Sequence, residues 1–522
     1  MRRASVRFGL FVTVWAFCTV ALAQRLDAAE ARFLLTRTGF APNTAETSVF
    51  TGMTRAQAVD KILLDVDAAV RPQTIALPPE WTGADTAPRK RPQDMTVEER
   101  KLLREVGQQQ IFALRGWWLD QMRATPAPLS ERMTLFWHNH FVSSYQKVQS
   151  PELMYRQNQT FRTHAVGSFS ALLHAAVKDP AMLIYLDNVN SRKGAPNENL
   201  ARESMELFTL GEGKYSELDV KEVARAFTGW SVDRTIDQYL WRPQLHDAGS
   251  KTVLGRSGNF DGDAVLDILL AQPACAEFIV TKLWREFISP EPDKAEVARI
   301  AQRLRESGYE LKPALRELFL APAFWDPATR AHLVKSPVEM LVGAVRQFDI
   351  RYSDSLPFTF AVAQLGQNLF YPPNVKGWPG ADAWINTNTL MGRKSVLERV
   401  FKTGESEAIA PIPVAMGMTE RGPSNPGAMR ETAASMGQVP GQAALGREGR
   451  IRFANAVTTI SFDIDAWLAQ YGVTRGAVPD AGQRLALQQA VLGTAPSTPG
   501  RAGLDGRAYL RSLLMDPVYQ LK

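Results

Sequence analysis

Ser216-Glu-Leu-Asp219-Val220-Lys-Glu-Val223-Ala224-Arg-Ala-Phe227-Thr-Gly-Trp230 is the stretch that decides the fold class. Ser216 stands where a helix N-cap belongs. Asp219, three residues on, completes a capping box in which each side chain serves the other's backbone N–H. Val220, Val223, Ala224 and Phe227 then fall at i, i+3, i+4 and i+7, which is one apolar stripe along a helix. The same pattern recurs outward along the chain. Thr96 with Glu99 opens a helical pattern running to Met122, and Ser130 opens another through Phe136. Val297, Ile300, Ala301 and Leu304 repeat the stripe before a stop at Gly308. Ser336-Pro337-x-Glu339 sets the cap, the first-turn proline and the third-position carboxylate in order. Alternating apolar patterns closed by Asn-Gly or Asp-Gly turns are almost absent. The expected class is α.

Two stretches interrupt the helical pattern. Tyr371 to Asn388 is rich in Pro, Gly, Asn and Trp and reads as a long ordered loop. Residues 403–449 are poor in aromatics and dense in Gly, Pro, Ala and Ser, which predicts a flexible insertion. The expected organisation is a helical main domain over 24–402, that insertion, and a helical segment over 450–522 packing on the main domain. Residues 1–23 read as a signal peptide: Arg2, Arg3 and Arg7 precede an apolar run, and Ala21-Leu22-Ala23 gives a small-x-small cleavage pattern before Gln24. The expected location is outside the cytoplasm, periplasmic or extracellular. A retained anchor is the alternative, although the apolar run falls short of the about 20 residues a spanning helix needs. No later stretch is long and apolar enough to span.

Of the 522 residues, 45% are hydrophobic and 22% charged, which is ordinary for a globular protein. The net charge of +6 is spread without blocks of like sign, an arrangement that argues against nucleic acid as a partner. Cys275, among Ala274, Ala276 and Phe278, reads as a small buried hydrophobe.

Three segments carry more polar detail than helix packing requires. In Phe136-Trp-His138-Asn-His140-Phe141, positions i and i+2 of a helix point roughly 200° apart, so both histidines reach one metal only if the helix breaks near Asn139. The other reading is a pair of histidines satisfied at a packed helix end. In Asp187 to Gly211, a polar loop feeds a helix on which Asn199, Glu203 and Glu206 share a face, with Arg202 expected to pair with Glu206. Asp187, Asn197 and Glu198 precede them. Such a set could hold a cation, or act as acid and base with separated pKa values, or form a solvated ion-paired face. The third segment, His246-Asp247-x-Gly249-x-Lys251, suits metal ligation or anion capture. The expected metal set is His138, His140, Asp187 and Glu198 around a divalent ion. The expected catalytic set is His138, Glu203, Glu206, His246 and Asp247.

These groups are expected to meet around one cavity walled by Tyr371 to Asn388. There Trp378 and Trp384 would offer flat faces to a sugar-like ligand, with Asn386 and Lys376 alongside. Asn197, Asn199, Arg202 and Lys251 complete the expected ligand-binding set. The alternative is that the tryptophans plug the loop onto the helical body.

The run Asp187 to Trp230 resembles the exported bacterial family catalogued as domain of unknown function 1800, and so do Phe136 to Phe141, His246 to Lys251, Lys335-Ser-Pro-Val-Glu339 and Pro372-Pro-Asn-Val-Lys-Gly-Trp-Pro379. The resemblance covers nearly the whole mature chain; Ser204 departs from it, where a larger apolar residue is usual. It implies a helical envelope or secreted protein, often encoded beside an exported phosphatase- or sulfatase-like partner. It implies no established reaction. Two functions are therefore expected: an accessory protein that binds an exported partner or an extracellular polymer such as a glycan, or a hydrolase, metal-assisted, built from His138, His140, Asp187, Glu198, Glu203 and His246.

Overall fold

The computed structural model describes residues 24–69, 94–403, 447–498 and 503–522. The expected signal peptide, and the expected insertion apart from its two ends, lie outside these. Helices dominate, and the strands among the described residues are two short antiparallel ribbons.

The chain opens with α1 (Ala28–Thr38), capped by Asp27, and α2 (Arg55–Ala69). The capping box of Thr96 and Glu99 starts α3 (Val97–Ala124), whose second half buries Ile111, Leu114, Trp117, Trp118 and Met122. Against it pack α4 (Pro128–His140) and α5 (Pro151–Thr163). A pair of shorter helices, α6 (Asn199–Glu206) and α7 (Glu217–Ala226), follows. Ser216 and Asp219 form the expected capping box of α7, and Val220, Val223, Ala224 and Phe227 are all buried. Burying each such side chain stabilises the fold by roughly 1.5–3 kcal/mol.

Next come α8 (Pro273–Phe287) and α9 (Lys294–Glu306), which pack against each other. Every residue of α10 (Pro337–Gln347) is buried behind its Ser336–Glu339 capping box, and α11 (Leu356–Gln364) follows. The loop that opens at Tyr371 ends at Asn386, two residues before the expected Asn388, because Thr387 and Asn388 already belong to α12 (Thr387–Thr403); α13 (Arg447–Thr458), α14 (Ala481–Val491) and α15 (Gly506–Met515) follow.

The last helices share the main core. The indole of Trp467 donates to Gln347 O at 2.9 Å, and the Gln347 amide donates to Ala490 O at 2.5 Å. The end of the chain pairs with Leu333–Lys335 through Lys335 N to Gln520 O and Lys522 N to Leu333 O, both 2.8 Å. Among the described residues no single helix is long and apolar enough to cross a membrane.

The ribbons were not expected from the sequence. β1 (Trp230–Asp233) pairs with β2 (Gln238–Trp241), and β3 (Lys251–Val253) pairs with β4 (Arg256–Gly258). Both turns place a non-glycine residue in the left-handed region. Asp237 has φ 52°, and Leu254 (φ 47°) precedes Gly255 (φ 79°) where a two-residue hairpin turn normally carries Asn or Asp. Leu254 is held there by its N–H, which donates to Asp219 at 2.7 Å.

Candidate functional site

α4 stays helical through His140, with no break at Asn139, so its two histidines serve different surroundings. His138 faces the core. Its ring lies 4.6 Å from Trp118 and 4.7 Å from Phe161. Arg162 donates to Asn158 Oδ1 at 2.7 Å, which orients the amide so that Nδ2 donates to His138 Nε2 at 3.1 Å. Arg162 also grips Glu131 through two bonds of 2.6 and 3.0 Å. Burial, helped by Arg162, holds His138 well below its ordinary pKa, so the ring is neutral. His138 is a packed histidine.

His140 faces a cavity of about 530 Å³. Its Nε2–H donates to Phe208 O at 3.1 Å, and its Nδ1 accepts from Lys282 Nζ at 2.9 Å. Lys282 makes a second bond to Leu207 O at 3.2 Å. Burial, then the neighbouring Arg285, lowers Lys282 to about 8, while burial and Lys282 itself keep His140 neutral.

Four elements build the walls. From α4 come Arg132, Leu135, Phe136 and Asn139, which share one helical stripe, and from α8 come Lys282, Arg285 and Glu286. The start of α10 supplies Ser336 and Glu339, and the loop supplies Trp378 and Trp384, with Lys522 alongside. Trp378 and Trp384 are both buried, and the Trp378 Nε1–H has no acceptor.

The charges do not balance. Arg132 bridges Glu286 and Glu339, and Lys522 also pairs with Glu339. Burial alone would raise the Glu339 carboxyl, but Arg132 and Lys522 hold it well below the ordinary carboxylate range. Both carboxylates are therefore engaged. Among the described residues Lys282 and Arg285 have no carboxylate partner, and both face the cavity. A pocket of this size, with flat aromatic walls and surplus cationic donors, has the chemistry to accommodate an anion.

The remaining expected residues do not join this cavity. Asp187, at φ 61°, is half-buried and bonds Lys147 at 2.6 Å and Asn199 at 3.4 Å. Asn197 Oδ1 accepts from Asn199 N at 2.9 Å, a local turn. Arg202 does not pair with Glu206. It grips Glu217 at 2.7 and 2.8 Å and lies 3.5 Å from Glu198, because α7 folds back beside α6. Glu206 instead accepts from Tyr215 OH at 2.7 Å, and Glu203 is raised by partial burial and by Glu206.

His246 Nδ1 donates to Thr228 O at 3.0 Å. Asp247 is held at about 2 by its bonds to Arg225, the shorter of 2.8 Å. Lys251 donates to Gly249 O at 3.0 Å, so this third loop ties α7 to the β3–β4 ribbon. The expected metal set is thus dispersed. His138 is sealed, His140 has both ring nitrogens engaged, and Asp187 and Glu198 lie on the α6 surface. Among the described residues no three His, Cys, Asp or Glu side chains stand close enough to hold a metal ion. Asn386 caps α12 through Thr389 N at 2.9 Å and is exposed, so it does not line the cavity.

Residues 33–521 match the model of a family described as a protein of unknown function, DUF1800. The chain belongs to this family. No curated protein and no solved structure matches it. Of the family-like stretches, Phe136 to Phe141, Lys335 to Glu339 and Pro372 to Pro379 meet at the cavity. A fourth, the Leu207–Phe208 part of Asp187 to Trp230, reaches it through the two carbonyls that receive Lys282 and His140.

Arg132, Lys282, Arg285, Glu286 and Lys522 were not singled out by the sequence reading, and Glu339 was read only as a cap. The available signal was helical spacing: Lys282, Arg285 and Glu286 fall at i, i+3 and i+4 on an otherwise apolar helix.

Proposed function

We propose that this protein is an exported binding protein whose cavity takes the acidic or sulfated end of an extracellular glycan. Lys282 carries the reading. It is a lysine set in a desolvated wall, bonded to a neutral imidazole and to the single carbonyl of Leu207 rather than to a carboxylate, beside Trp378 and Trp384. A buried cation is costly without an opposite charge, and an anionic ligand would supply it. The flat indoles suit a sugar ring, and the volume suits one or two rings. The exported phosphatase- or sulfatase-like partner that the resemblance implies would act on ligands of the same charge class.

The test is calorimetric titration of the purified protein with uronate, sulfated and neutral oligosaccharides of equal length. The reading requires that acidic or sulfated oligomers bind, that neutral ones do not, and that Lys282→Met removes most of the affinity. It fails if no charged oligomer binds, or if Lys282→Met binds as the parent does.

Glu203 and Glu206 support a second reading, hydrolysis. Glu203, raised by burial and by its neighbour, is suited to hold a proton, while Glu206 is bonded to Tyr215. Carboxylates pushed apart in pKa serve as acid and base. Turnover of any oligosaccharide that disappears in Glu203→Gln would favour this reading.

A further inference from the structure

Behind the cavity lies a second one, of about 350 Å³, between α1, the Pro327–Arg330 segment and α14 with the turn that follows it. Its lining includes Arg32, Arg330, Lys335 and Lys522 and not one acidic residue. Two of these cations are already engaged. Lys335 Nζ donates to Tyr519 O at 2.8 Å and sits 4.2 Å from that ring's centre, and Lys522 pairs with Glu339.

The two arginines differ from them. Arg330 lies with its guanidinium carbon 4.9 Å from the centre of the Phe33 ring, its Nε is buried without an acceptor, and no carboxylate pairs with it among the described residues. Arg32 donates to Pro42 O at 3.2 Å and has the Tyr471 hydroxyl within hydrogen-bonding reach. Burial lowers its pKa, and its polar neighbour is the Tyr471 hydroxyl rather than a carboxylate. Arg37, on α1 below them, cannot supply the missing balance. It is itself a cation, and it spends its donors on Phe287 O, Ile288 O and Thr329 O.

We infer that this second cavity is a binding site for a small tetrahedral oxyanion, phosphate or sulfate, free or as the ester head of a larger molecule, gripped by Arg330 and Arg32. The guanidinium fork presents parallel N–H donors that match two oxygens of such an anion, and Phe33 keeps the Arg330 plane in place from one side. Lys335, lowered to about 7 by burial, and Lys522, paired with Glu339, add little net charge, so the selectivity for phosphate or sulfate over chloride rests on the two arginines. The site is separate from the glycan cavity, and only Lys522 borders both.

The experiment is calorimetric titration of the full chain with inorganic phosphate, sulfate and methyl phosphate at fixed ionic strength, with chloride as the reference. We expect saturable binding of about one anion, weakened at least roughly tenfold by Arg330→Gln and by Arg32→Gln, as loss of a charge-assisted bond implies. Arg330→Lys, which keeps the charge but loses the fork, should fall between. Lys282→Met should leave phosphate binding unchanged, which separates this site from the first cavity. Comparing methyl phosphate with inorganic phosphate distinguishes an ester head from the free anion. No saturable binding by the parent protein overturns the inference. So does binding that survives both glutamine variants, or that disappears in Lys282→Met. Melting curves without anion identify a glutamine variant that fails to fold, and Arg330→Lys then decides.

Discussion

Asn139 holds the backbone of Trp378 from both sides: its Oδ1 accepts the Trp378 N–H at 2.7 Å and its Nδ2 donates to Trp378 O at 3.4 Å. One side-chain amide on α4 thereby acts as a short strand edge for a loop that is 239 residues away in sequence. The cavity has its aromatic wall because of this clamp. Asn139→Ala should lose about 1–3 kcal/mol of stability, since buried donor and acceptor are left unpaired. It should also weaken binding of the charged oligosaccharide. Chemical denaturation followed by tryptophan fluorescence measures the first effect and calorimetry the second. Unchanged stability would mean that Asn139 does not hold the loop.

Gly377 is the partner condition of that clamp. Its φ is +87°, and a methyl group there would fall 2.2 Å from Asn139 Oδ1. Gly377→Ala should therefore cost stability through both backbone strain and collision. In an Asn139→Ala background the collision disappears while the strain remains, so the cost of Gly377→Ala should shrink. A double-mutant cycle reads that coupling directly, and additive costs would refute the collision.

Much of this was legible in the sequence. The capping boxes at Thr96, Ser216 and Ser336 all form, and the stripe from Val220 to Phe227 is buried, because caps and periodicity are local properties. Cys275 is buried as expected, while Trp378 and Trp384 line a cavity that Asp187, Glu203 and His246 do not share. What failed depended on distant partners. Arg202 meets Glu217 on the neighbouring helix rather than Glu206. Arg132 and Lys282 looked like ordinary charged positions on helices. Only the approach of α4, α8 and the chain end makes them a site.

Glu339 shows the same doubling of roles. One oxygen accepts Ser336 N at 2.8 Å in the capping box, and the other meets Arg132 and Lys522. The two roles should separate energetically. Ser336→Ala should cost about 0.5–2 kcal/mol, as loss of an N-cap does. Glu339→Gln keeps the cap acceptor but leaves buried cations without their carboxylate, which should cost about 3–5 kcal/mol. A cost near zero for Glu339→Gln in urea denaturation would mean that the charge cluster contributes nothing.

Lys282 predicts a pH dependence with a definite sign. Its folded pKa, about 8, lies below the 10.5 of a free lysine, so protonating it in the folded state is unfavourable. From this group alone, stability is lowest below about pH 8 and rises between pH 8 and 10.5 as the folded chain sheds a proton that the unfolded chain keeps. An anionic ligand needs the charged amine. Oligosaccharide affinity should therefore fall as pH rises through about 8, with proton uptake on binding. In Lys282→Met the affinity should be weak and flat over the same range. A slope that persists in the variant would assign the titration to another group.

Trp378 separates the two roles the loop can play, packing and recognition. Its side chain is 4% exposed, so truncation to Ala should cost about 3–5 kcal/mol whatever the ring does for a ligand. That variant cannot distinguish the roles. Trp378→Phe can. It keeps a flat apolar ring against the body but removes the Nε1–H, which is buried and has no acceptor among the described residues. Removing an unsatisfied donor relieves a desolvation cost, which offsets part of the packing lost with the smaller ring. Stability should therefore stay within about 1–1.5 kcal/mol of the parent, the range of conservative core swaps. If the indole N–H is aimed at a ligand oxygen, affinity for the charged oligosaccharide should nevertheless drop by about 1 kcal/mol or more, roughly fivefold. Unchanged affinity in Trp378→Phe would leave the indole as packing and place recognition on Lys282 and Arg285 alone.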